Sequence, residues 1–191
     1  MAVQSFMVPL GTSMPEFSLP SIDGTQMGSA DFTGAPGVLV MFLSNHCPYV
    51  RHLERELALA VDEYSRRDVA AVAICSNDTS THPDDGAAGL AEQARRAGFG
   101  FPYLVDESQQ VATDFRAACT PDFFLYDRAG RLAYRGEFDE SRPRSGTPVT
   151  GRTLRAALDA VLAGEPVPEP HPPSMGCGIK WKPGNEPADS A

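Results

Sequence analysis

The stretch FLSNHCPYV, Phe42–Val50, decides how the chain is read. An apolar run that begins at Val38 closes here, and the polar trio Ser44, Asn45 and His46 leads into Cys47 and Pro48. A continuous apolar run of this length predicts a buried central strand over Val38–Leu43. Pro48 suits the first turn of a helix, and Leu53, Leu57, Val61 and Tyr64 follow at helical spacing. Cys47 therefore stands at a strand-to-helix corner. In an open α/β sheet that corner lies on the rim where ligands bind. A thiol there meets unpaired N–H groups and the positive end of the helix dipole, which favour the thiolate and predict a lowered pKa. His46 beside it supports that charge when protonated. A buried cysteine that only fills space is the commonest fate of a free thiol. The corner position and the Pro48–Tyr49 that follows favour chemistry instead.

Working outward, VAAVAI (Val69–Ile74) predicts a second buried strand, ending at Cys75, which reads as a small core residue. AAGLAEQARRAGFG predicts a helix stopped at Gly98, with Arg95 and Arg96 in its last turn. FPYLVD reads as a third strand, ESQQVATDFRAA as a short helix, and DFFLYDRAGRLAYRGEF as a hairpin turning at Ala129–Gly130. TLRAALDAVLAG closes the series with a helix whose Leu154, Leu158 and Val161 share a face. From Val38 the order is β-α-β-α-β-α-β-β-α, which predicts an α/β fold with a mixed central sheet flanked by helices. Upstream, FSLPSIDGTQMG predicts an N-terminal β-hairpin around Asp23–Gly24.

The 191 residues divide into a domain over 1–164 and a tail over 165–191 that holds seven of the 17 prolines. EPVPEPHPP reads as an extended polyproline-type segment. SMGCGIKWKPGN carries the only tryptophan, Trp181, together with Cys177 and two lysines. That density predicts a tail folded back on the domain with Trp181 largely buried.

Totals narrow the function. Hydrophobic residues at 42% and charged residues at 21% are those of an ordinary globular protein. A net charge of −9 argues against nucleic acid or an anionic membrane as partner. No apolar run approaches the length of a membrane span. The N-terminal sequence lacks a basic segment followed by an apolar one, so the expected setting is cytoplasmic and reducing. Four cysteines are too few for a disulfide scaffold, and a disulfide in that setting is expected to be transient and catalytic. The histidines and cysteines show no zinc-type spacing, so neither metal nor cofactor is expected. Asn77 and the Asp84–Asp85 pair read as a loop residue and as the charged start of a helix.

CTPDFF, Cys119–Phe124, is the second signal, because Pro121 directly precedes a strand, a position where cis proline occurs. Taken together, FSLPSIDG, SNHCPYV, CTPDFFLYD and GCGIKWKPGNEP resemble the thioredoxin fold. More narrowly, they resemble its redoxin branch, the alkyl hydroperoxide reductase/thiol-specific antioxidant superfamily, and a bacterial thiol–disulfide isomerase/thioredoxin subgroup within it. The resemblance covers about residues 14–187. It implies Cys47 as nucleophile with a cis Thr120–Pro121 bond facing it, and Tyr49, Thr120 and Pro121 as substrate-binding positions. There the Thr120–Pro121 backbone would receive an extended substrate strand.

The sequence departs from both parents. Thioredoxins carry W-C-x-x-C, whereas here Asn45–His46 precede the thiol and Val50 stands where the second one would be. Peroxiredoxins carry P-x-x-x-T-x-x-C, whereas here Ser44 keeps the hydroxyl and Val40 replaces the proline. The reading that follows is a thiol–disulfide oxidoreductase in which Cys119 resolves the intermediate, with Cys177 second. Its partners would be protein or small-molecule disulfides or peroxides, and an external thiol reductant. The alternatives are a peroxiredoxin-like antioxidant peroxidase, in which Cys47 becomes a sulfenic acid, and a non-catalytic peptide-binding module.

Overall fold

The computed structural model describes residues 2–187. Its elements are β1 (Ala2–Gln4), β2 (Ser18–Pro20), β3 (Gln26–Gly28), β4 (Gly37–Phe42), α1 (Pro48–Ser65), β5 (Ala70–Cys75), α2 (Ala87–Ala97), β6 (Tyr103–Val105), α3 (Gln110–Phe115), β7 (Cys119–Thr120), β8 (Asp122–Asp127), β9 (Leu132–Gly136), α4 (Arg152–Ala163) and β10 (Met175–Gly178). The central sheet runs β6-β5-β4-β8-β9. Strands β4, β5 and β6 are parallel, and β8 and β9 are antiparallel to their neighbours.

Strand alternation splits the core in two. Leu39 and Met41 of β4 point to the face that α1 and α4 cover, meeting Leu57, Val61, Leu154 and Leu158. Val38, Val40 and Phe42 point to the other face, against Phe17, Phe32 and Phe115. Both faces are apolar, which is why Val38–Leu43 reads as a continuous run rather than an alternating one. A buried leucine of this kind stabilises the fold by about 1.5–3 kcal/mol.

The N-terminal hairpin pairs β2 with β3. Its turn needs the left-handed Gly24 (φ +86°), and the Thr25 N–H donates to Asp23 Oδ1 at 2.9 Å. The tail differs from a simple appendage. β10 inserts between β1 and β7 to form a second, three-stranded sheet. Trp181 is half-buried against the second core rather than largely buried, because only part of its surface meets that core. Among the described residues, no helix is long and apolar enough to cross a membrane.

Candidate active site

Cys47 caps α1 from the extended region (φ −71°, ψ 121°), with Pro48 at the first helical position. Its side chain is 0% exposed. The Sγ atom lies 3.0 Å from the carbonyl oxygen of Thr120, to which the thiol donates. The Thr120–Pro121 bond is cis. Tyr49 lines a small hollow with Pro121, Ser174 and Met175. Sequence positions far apart thus converge on one rim.

The fourth participant is Cys177. The antiparallel register of β10 on β7 pairs Cys177 with Thr120 and Gly178 with Cys119. The Cys177 thiol hydrogen-bonds the Cys47 sulfur, and this contact is the main cause that holds the Cys47 pKa well below the ordinary thiol value. Burial works against the charge, while the Thr120 side chain and the N–H groups of Val50 and Cys177 add to the lowering. The same contact, with burial, pushes Cys177 up and keeps it an S–H donor.

Cys119 is placed differently. Successive residues of a strand face opposite ways. Cys119 is fully buried, and its thiol lies 3.5 Å from the Pro121 carbonyl. Burial holds its pKa far above the ordinary value. Cys75 is likewise buried at the end of β5, with its pKa raised mainly by burial. All four cysteines are free thiols.

Ser44 and His46 do not reach the sulfur. They close on Asp85, whose side chain is fully buried. His46 Nδ1 lies 2.5 Å from Asp85 Oδ2, and Ser44 Oγ lies 3.2 Å from each carboxylate oxygen. The Asn45 N–H donates to Asp85 Oδ1 at 2.7 Å, and Asn77 Nδ2 donates to Oδ2 at 2.7 Å. Burial opposes the charge on Asp85, but the hydrogen bonds from His46, Asn77 and Asn45 outweigh it and hold the carboxyl below the usual carboxylate range. This carboxylate fixes the loop that delivers Cys47 to the helix. Asn77 also accepts the Lys180 N–H at 2.8 Å, so the same cluster ties down the tail just past Cys177.

Sequence reasoning missed Asp85 and Asn77 as organisers of the site. An Asp-Asp pair before a helix looks the same whether it caps that helix or reaches back to another loop. The expected docking edge is also altered, because β10 already lies on β7 at Thr120. Among the described residues, no three His, Cys, Asp or Glu side chains gather as a metal site.

A thiol at the start of the first long helix, in contact with the residue before a cis proline, beside a mixed five-stranded sheet, defines a thioredoxin-fold thiol protein. The chain belongs to the AhpC/TSA family, whose model matches residues 10–135. It is 25% identical over 125 residues to the thiol-disulfide oxidoreductase ResA of Geobacillus thermodenitrificans (strain NG80-2), covering 65% of this chain and 67% of that protein. The crystal structure of an uncharacterized conserved protein from Geobacillus kaustophilus is 47% identical and superposes with a TM-score of 0.93, covering 96% of this chain and 97% of the other. A secreted Mycobacterium tuberculosis disulfide oxidoreductase homologous to E. coli DsbE shares the fold at 14% identity, with a TM-score of 0.59 over 75% of this chain and 95% of that one.

Proposed function

We infer that the protein is a thiol–disulfide oxidoreductase cycling between a Cys47/Cys177 dithiol and the corresponding disulfide. One observation carries this reading. The β10–β7 register sets the Cys177 thiol against the Cys47 sulfur, where the thiolate is favoured. The similarity to a thiol-disulfide oxidoreductase supports the class of reaction. Cys119, read from the sequence as the resolving thiol, lies on the Pro121 carbonyl, and this contact favours Cys177 for that role in the present reading. In a reducing setting, such a pair would cycle rather than persist as a cross-link.

The peroxidase reading draws less support. The hydroxyl that would assist a peroxide, Ser44 Oγ, is bound to Asp85 and His46. The test compares turnover of oxidised glutathione and of hydrogen peroxide for the wild type and for Cys47→Ser, Cys177→Ser and Cys119→Ser. Exchange lost in the first two variants and retained in the third supports the reading. Peroxide turnover that survives Cys177→Ser and exceeds exchange contradicts it.

A further inference from the structure

β10 occupies the backbone edge that faces Cys47. Cys177 stands opposite Thr120, where a cysteine of an incoming strand would otherwise stand. The fit is close: a Cβ on Gly176 would lie 2.0 Å from the Thr120 carbonyl oxygen. The strand is fixed on both sides of the thiol. Ser174 is buried upstream, and β1 pairs along the outer edge from Ala2 to Gln4. Downstream, the buried Ile179 donates its N–H to the Ala118 carbonyl at 3.2 Å, and the Lys180 carbonyl accepts from the Asp78 N–H and from Gln109 Nε2, each at 2.8 Å. Cys47 beneath is fully buried, while Cys177 is only partly so.

We propose that the exchange partner is a low-molecular-weight thiol, and that it enters at Cys177 rather than at Cys47. This rests on the Cys47–Cys177 disulfide of the reading above. A peptide needs a free edge beside the reactive sulfur, and here the protein's own strand fills it. A small thiolate needs only an accessible sulfur. In the first step the partner thiolate bonds to Cys177 Sγ, the Cys47–Cys177 bond breaks, and its electron pair leaves on Cys47 as thiolate. In the second step another partner thiolate attacks the partner sulfur of the Cys177 mixed disulfide. Cys177 leaves, takes a proton from water, and the two partner molecules depart as their disulfide. Two thiols are oxidised and one protein disulfide is reduced. Leaving on Cys47 is the faster direction, because the thiol with the lower pKa is the better leaving group.

The experiment oxidises the full chain and first establishes by intact mass that two hydrogens are lost. If they are not, the disulfide reading itself fails, independently of the route. Reduced glutathione is then added, the first turnover is quenched in acid, and the adduct is mapped by peptide mass spectrometry. Glutathione on Cys177 with Cys47 free is the expected result. An adduct on Cys47, or reduction with no Cys177 adduct in the first turnover, overturns the route. In a second arm an unstructured cysteine-containing peptide replaces glutathione at equal thiolate concentration. Reduction slowed about tenfold or more is expected, and an equal or faster rate overturns the assignment to small thiols.

Discussion

Cys177 and Thr120 face each other across the β10–β7 ladder, and the Thr120 carbonyl oxygen lies 3.0 Å from Cys47 Sγ. One residue thus links the two thiols. On the proposed reading, the partner that Val50 cannot supply within the helix is Cys177, which strand register rather than proximity in sequence sets opposite Thr120.

Gly176 is the first place to disturb that register. A side chain there would meet the Thr120 carbonyl oxygen at 2.0 Å and its carbon at 2.6 Å, and both are backbone atoms that cannot turn aside. Gly176→Ala should cost on the order of 1–3 kcal/mol through overpacking. It should also slow oxidative pairing of Cys47 with Cys177 about tenfold or more. Pairing kinetics followed by intact mass provide the check, and an unchanged rate would mean that the ladder does not position Cys177.

The lowered pKa of Cys47 predicts that alkylation of this residue titrates below the ordinary thiol value of about 8.5. The Cys177 thiol is the leading cause, so Cys177→Ala should move the inflection upward. Iodoacetamide labelling against pH, read at the Cys47 peptide, measures both quantities. An inflection indifferent to position 177 would assign the effect to the Thr120 side chain and the N–H groups around Cys47.

Asp122 offers a stability test. It is fully buried under the rim, accepts from Ser5 Oγ at 3.0 Å and the Ala118 N–H at 3.2 Å, and burial raises its pKa to about 7. A carboxyl raised in the folded state contributes stability that is present below its unfolded value of about 3.9 and is lost as pH rises through about 7. The wild type should therefore lose on the order of 2–4 kcal/mol relative to Asp122→Asn between pH 5 and pH 8. Denaturant titrations at both pH values decide it, and a pH-independent difference would refute the buried, proton-holding carboxyl.

Removing the Asp85 carboxylate leaves the Asn45 N–H, Ser44 Oγ and Asn77 Nδ2 without their acceptor. Buried donors left unsatisfied cost about 1–3 kcal/mol each. Asp85→Ala should lower stability by about 3–5 kcal/mol and reduce Cys47 reactivity, since the loop before Cys47 loses its anchor. A stable variant with wild-type alkylation rates would make the cluster incidental.

The sequence carried the central architecture because its strands and helices announce themselves by their own periodicity. Val38–Leu43 is apolar on both faces because both faces are covered, and α1 shows one apolar stripe because one of its faces is buried. The second sheet gave no such signal. β10 is Met-Gly-Cys-Gly, with two glycines in four residues, and glycine has little intrinsic preference for strands. It is a strand because β1 and β7 make it one. β7 has only two residues, too short for any alternation to be read. The corner position of Cys47 at the start of α1 was therefore legible, while the placing of Cys177 opposite Thr120 depended on a register that no local pattern encodes. Asp85 was hidden for a related reason, since its partners lie about 40 residues away, at Ser44 to His46.

The pairing of Cys47 is the central claim, and non-reducing peptide mapping after mild oxidation with diamide tests it most directly. The account predicts a linked peptide joining Cys47 to Cys177, with Cys75 and Cys119 recovered as free thiols. A peptide joining Cys47 to Cys119, with Cys177 free, would contradict it.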